Sequence, residues 1–131
     1  MLDLRIQNVR LRGCLYTLYP AASEHNTNYD LVQDLLYSIY CKLGLCSDDY
    51  EKQKAIEAQN PKIEDRLSID ELKLSGDYSI QDLLDEGLVT HNGNTIVLTL
   101  KTLRIFMRAA EIQNQLDEVG FYAPGCPHQM F

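Results

Sequence analysis

The stretch SIDELKLSGDYSIQDLLDEGLVTHNGNTIVLTLKTL, residues Ser68 to Leu103, decides the fold class of this 131-residue chain. Ser68-Ile69-Asp70-Glu71 and Ser79-Ile80-Gln81-Asp82 each set a hydroxyl to accept an early backbone N–H and a carboxylate in the first helical turn. Each therefore opens a short helix. Gly76-Asp77-Tyr78 makes the turn between them, and Gly87 is the natural C-terminal cap of the second. Asn92-Gly93 predicts a type I′ hairpin turn, in which both central residues take positive φ. Pairing about that turn sets Val89 opposite Ile96 on one face with Leu98, while Thr90 and Thr95 face the other way. From Leu100 the apolar period becomes helical through Leu103, Phe106, Met107, Ala110 and Leu116, ending near Gly120.

Upstream, Leu2, Leu4 and Ile6, then Val9, Leu11 and Gly13, alternate with polar residues and predict paired strands, which Pro20 closes. The polar run Ala21 to Asn26 reads as a loop. Thr27 and Asp30 stand at capping-box spacing, and Leu31, Val32, Leu35, Leu36, Ile39, Tyr40 and Leu43 recur at helical period until Gly44, which predicts the core helix. Ser47 opens a more polar surface helix, Asp48 to Gln59, ended by Asn60-Pro61. The expected class is α+β: a helix-turn-helix with a β-hairpin, an N-terminal β segment and two longer amphipathic helices. One compact domain over 1–120 and an extended tail over 121–131, rich in turn residues, are expected.

Charge narrows the partners. The net charge is −7, yet residues 1–13 carry Arg5, Arg10 and Arg12 against Asp3, and 91–131 hold three bases and three acids. The excess acid lies between: three bases and seven acids over 14–60, three and eight over 61–90. Such a surface repels phosphate backbones and favours basic or neutral protein partners. The first residues lack the apolar run of a signal peptide and no stretch is able to span a bilayer, so a soluble cytoplasmic protein with no membrane partner is expected.

The element order over 68–118, together with Gly87-Leu88-Val89 and Val97-Leu98-Thr99 around the hairpin, resembles a winged-helix domain, a likeness of fold rather than of any specific family. The resemblance implies that Ile80 to Glu86 stands where a DNA reader carries its recognition helix, with His91-Asn92-Gly93-Asn94 as the wing tip. That segment offers Gln81, Asp82, Asp85 and Glu86, and neither it nor the wing tip holds a Lys or Arg. A phosphate facing an acid forfeits the counterion release that drives most non-specific affinity, so the usual DNA pose is disfavoured. Winged-helix folds also bind proteins, so the fold alone does not decide.

The expected function is a non-catalytic, acidic, protein-binding regulatory or assembly module. Its contact residues are Asp77, Gln81, Asp82, Asp85, Glu86, His91 and Asn92, and its partner is another protein or a second copy in a homodimer through the N-terminal strands or the last helix. Acids in the last turn of a helix oppose its dipole, which suits either a plainly solvated face or a basic partner. One alternative is a winged-helix transcriptional regulator docking on DNA through Lys101, Arg104 and Arg108, a stripe that otherwise reads as a solvated helix face. Another is a viral or phage-type structural or inhibitory protein whose acidic face imitates nucleic acid.

Enzyme activity is not expected: the chain has no nucleophile elbow, no phosphate-cradling loop and no HExxH, and its three histidines, His25, His91 and His128, fall in predicted loops. No cofactor is implied. Cys41, Cys46, Cys126 and His128 compose a Cys₃His set on paper, but C-x₄-C and C-x-H are unusual zinc spacings and Cys41 sits in the core helix, so no metal is expected and the thiols read as buried small hydrophobes. Eight tyrosines and no tryptophan supply amphipathic contact area, suited to interfaces or to the rim of a core.

Overall fold

A computed structural model describes residues 15–42, 49–58, 66–68 and 78–120. Its elements are α1 (Leu18–Glu24), α2 (Tyr29–Lys42), α3 (Tyr50–Ala58), β1 (Arg66–Ser68), α4 (Ile80–Asp85), β2 (Val89–Asn92), β3 (Thr95–Leu98) and α5 (Leu100–Glu118). The mixed helix and sheet content agrees with the expected α+β class. The expected N-terminal strands, the helix opened by Ser68, Asp77 and the tail lie outside the described residues.

The run Ala21 to Asn26 is not a loop. Leu18–Glu24 is helical, with Pro20 as its third residue, where a missing N–H costs nothing because the first-turn N–H groups have no carbonyl to meet. Ala21 and Ala22 are fully buried, so the segment is small rather than polar where it matters. It ends in a Schellman motif: Asn26 takes φ 52°, Thr27 N–H donates to the Ala22 carbonyl at 2.9 Å and Asn26 N–H to the Ser23 carbonyl at 3.1 Å. The Thr27 hydroxyl is thereby turned back to the His25 carbonyl at 3.0 Å. It does not cap α2; Asn28 does, its Oδ1 accepting the Asp30 N–H at 2.9 Å.

In α2, Leu31, Val32, Leu35, Leu36, Ile39 and Tyr40 are buried at the expected helical spacing. α3 is a surface helix capped by Asp49, whose Oδ1 accepts from the Glu51 and Lys52 N–H groups at 2.9 and 3.2 Å.

The sheet is three-stranded and antiparallel in the order β1-β3-β2, so β3 is central. Arg66–Ser68, too short to announce itself as a strand beside the cap expected at Ser68, pairs Leu67 with Ile96. The hairpin register differs from expectation: Val89 pairs with Leu98, Thr90 with Val97, His91 with Ile96 and Asn92 with Thr95. The loop residues are thus Gly93 and Asn94, and only Gly93, at φ 65°, is positive. That is the sign pattern of a type II′ turn, which wants glycine first, and not of type I′. Moving the turn by one residue changes each partner by two, so the faces are unchanged. Val89, Ile96 and Leu98 remain together in the core.

α5 closes the core with Leu103, Ile105, Phe106 and Ala109, joined by Thr102 and Gln113. Met107, expected inward, is 44% exposed. Ile105 and Ala109 take the inward positions because the buried face is centred between Thr102 and Phe106 and extends through Ala109. α5 packs on α1, and α4 packs beside β2.

Candidate functional site

The candidate surface is built on one tightly tied corner. Ser79 and Asp82 form a complete capping box: the Asp82 N–H donates to the Ser79 hydroxyl at 3.3 Å, and the Ser79 N–H donates to the Asp82 carboxylate at 2.8 Å. α4 then stops in a second Schellman motif, with Gly87 at φ 76° and the Leu88 N–H donating to the Leu83 carbonyl at 2.9 Å. Leu83 and Leu88 are both fully buried, which supplies the hydrophobic contact that accompanies this motif.

The carbonyls freed at that stop are taken up by the start of α5. The Thr99 hydroxyl donates to the Gly87 carbonyl at 2.6 Å, and the Thr102 hydroxyl to the Leu88 carbonyl at 2.7 Å. Thr99 N–H reaches the same Leu88 oxygen at 3.0 Å, and Lys101 Nζ donates to the Glu86 carbonyl at 3.0 Å. Helix, hairpin and final helix are therefore held at fixed angles, and the outer faces of α4 and the wing tip are presented from a rigid base.

On that base Gln81, Asp82, Asp85, His91 and Asn92 are exposed, and Glu86 is partly so. They do not stand equally free. The Asp82 carboxylate is occupied by Ser79, and Asp85 accepts a hydrogen bond from Gln81 Nε2 at 2.8 Å. Glu86 has Lys101 Nζ 3.9 Å from its carboxylate. Asp82 thus serves the helix and Glu86 is approached by Lys101, while Asp85 has no ion-pair partner among the described residues. His91 and Asn92 sit on opposite faces of β2, since neighbouring strand residues alternate.

The basic stripe of α5 is divided. Lys101 is drawn to the end of α4, and Arg108 is held by Glu24, with Nε 3.2 Å from both carboxylate oxygens. Glu111 approaches Arg108 Nη1 at 3.1 Å. The Glu24 hydrogen bond first, then that of Glu111, holds the Arg108 guanidinium above its ordinary pKa. Arg104 is exposed, with no ion-pair partner among the described residues. The link to Glu24 is not legible in the sequence because Glu24 lies 84 residues from Arg108 in a segment expected to be a loop.

Cys41 is exposed at the end of α2 rather than buried, because it lies one residue past Tyr40 on the turn that faces outward. Cys46, Cys126 and His128 fall outside the described residues. No group of three metal-ligating side chains gathers among the described residues. No described helix is long and apolar enough to cross a membrane. Tyr19 and Tyr29 meet edge to face at 5.3 Å, with Tyr19 and Tyr16 about half exposed at the start of α1.

No family model, curated protein or solved structure matches this chain.

Proposed function

We propose that this chain is a non-catalytic protein-binding module, regulatory or assembling in role, built on a winged-helix-like half over residues 68–118. A capped short helix, a hairpin whose second strand is central in the sheet and a long helix, in that order, support the winged-helix-like part. The single observation that carries the function is the charge of the presented face. From Tyr78 to Leu98 there is no Lys or Arg, and α4 and the two sides of β2 expose Gln81, Asp85, His91 and Asn92, with Glu86 partly exposed and reached by Lys101 from α5. A surface of that kind meets a basic or neutral protein surface without an electrostatic penalty and meets a phosphate backbone with one.

The DNA-docking alternative is weakened by the same geometry. Of Lys101, Arg104 and Arg108, the first and last already serve Glu86 and Glu24, so a phosphate would have to compete for them.

Charge reversal tests the proposal. Asp82 is left intact, since replacing it would uncap α4. Asp85→Lys with Glu86→Lys is expected to abolish recovery of the protein partner from native extract while the far-ultraviolet spectrum stays native. Unchanged recovery contradicts the assigned surface. Titration of a random DNA duplex at low salt is expected to give no binding, and binding that falls steeply with added salt favours the DNA alternative.

A further inference from the structure

α5 has two opposite faces. Thr102, Leu103, Ile105, Phe106, Ala109 and Gln113 are buried against the core. Directly opposite, Leu100, Arg104, Met107 and Glu111 follow one another at steps of four, three and four residues, which at 100° per residue places them within about 60° of one another. This outer line continues into the exposed polar residues Asn114, Gln115 and Glu118, yet its first half carries two apolar side chains, Leu100, 50% exposed, and Met107, 44% exposed. A cation and an anion flank the methionine. Arg104 and Glu111 lie about 10.5 Å apart along the axis, too far to pair within their own helix. Arg104 has no ion-pair partner among the described residues, and Glu111 leaves 63% of its side chain exposed beside Arg108.

That arrangement is self-complementary under a two-fold axis. Turned end to end about Met107, a second α5 brings its Glu111 to Arg104 and its Arg104 to Glu111, with methionine packed on methionine between them. A parallel alignment would instead set like charges opposite one another. Isologous pairing of one patch with itself is the common route to a closed dimer, and crossing helices pack side-chain ridges into grooves in this manner. We propose that a second copy of this chain docks on the outer face of α5, the helices crossing antiparallel at Met107 with Arg104 of each copy paired to Glu111 of the other. The acidic face of α4 is a different surface, so this goes beyond the function proposed above and fails or stands independently of it.

Sedimentation equilibrium on the whole chain tests it over about 10 μM to 1 mM, the range suited to a small interface. The wild type is expected to dimerise. Arg104→Glu and Glu111→Arg alone are each expected to weaken association about tenfold, because each breaks two symmetry-related pairs, and the double variant to recover most of the loss. Folding is not at risk in these variants: a glutamate at 104 stands four residues before Arg108, a favourable helical pair, and an arginine at 111 sets a like charge three residues after Arg108 on an exposed helix face, a small penalty that leaves Glu24 on Arg108. Met107→Glu, which brings two like charges to the crossing point, is expected to leave a monomer. A wild type monomeric across the range overturns the proposal. So does a dimer that ignores Met107→Glu, or one whose single reversals are not rescued by the double.

Discussion

The hydroxyl of Thr102 donates a buried 2.7 Å hydrogen bond to the carbonyl of Leu88, and through it the first turn of the last helix is fixed to the base of the hairpin. Thr102→Val keeps the shape and removes the donor. The Leu88 oxygen keeps its bond from the Thr99 N–H, so it is not stranded. The expected loss is therefore at the low end for a buried hydrogen bond, about 1 kcal/mol by chemical denaturation. Thr102→Ser, which retains the donor, should lose less at the hydrogen bond and only the packing of one methyl. A Val variant as stable as the wild type, beside a Ser variant that is not, would place the residue's contribution in its methyl and not in the tie to Leu88.

Gly87 separates backbone strain from steric clash. Its φ is 76°, and a Cβ built there meets nothing within 4 Å. Gly87→Ala is accordingly expected to cost only the left-handed penalty of an L-residue, about 1–2 kcal/mol. Gly87→Asn should cost less, since asparagine tolerates that region. A cost for alanine near zero would mean that the Schellman stop of α4 is not maintained in solution.

The hairpin register makes a position-specific prediction. Asn92 and Thr95 flank the two-residue turn, so Thr90 with Val97 is the next hydrogen-bonded pair, while His91 with Ile96 is a non-hydrogen-bonded one. The Thr99 N–H to Leu88 carbonyl bond continues the same alternation. The His91 N–H therefore points away from β3. His91→Pro is expected to preserve the fold within about 1 kcal/mol, whereas Thr90→Pro removes a ladder bond and should cost about 3 kcal/mol or more. The type I′ register expected from Asn92-Gly93 gives a different result: it makes Thr90 with Thr95 the non-hydrogen-bonded neighbour of the pair at His91 and Asn94. The order of the two costs would then reverse.

Much of the α+β class is legible in the sequence because caps and periods are local. Ser79 with Asp82, Gly87 and the apolar positions of α2 are set by residues no more than a few positions apart, and each stands at its expected place. The features that escape the sequence depend on distant partners. Ala21 and Ala22 carry no helical period of their own and become a helix because α1 packs on α2 and α5. Leu67 becomes a strand residue only through Ile96. The hairpin register is ambiguous in sequence because two glycine-containing pairs, Asn92-Gly93 and Gly93-Asn94, each suit a two-residue turn, and the two turns are offset by one residue. Of the candidate surface, composition is readable and so is the capping duty of Asp82, but the partner of Glu86 is not, because Lys101 reaches it from fifteen residues further along the chain.

The salt links on α5 predict a graded response to substitution. Glu24→Gln removes the anion that approaches Arg108 through both of its oxygens. Both side chains are more than a third exposed, and such pairs contribute little to stability. The expected shift in denaturation midpoint is small. A larger change than that of Thr102→Val would show that the link between α1 and α5 matters more than its exposure implies.

Site-specific photo-crosslinking asks in native cells what the acidic face touches. A benzophenone side chain placed at Gln81 on α4 or at Asn92 at the wing tip, both exposed, captures whatever lies there, whether protein or nucleic acid. The expected outcome is a discrete protein adduct from each position that disappears with Asp85→Lys and Glu86→Lys, and none from a control at Ser23 on α1. A nucleic-acid adduct at Gln81 or Asn92, or a protein adduct indifferent to those reversals, would overturn the assignment of this face to a protein partner.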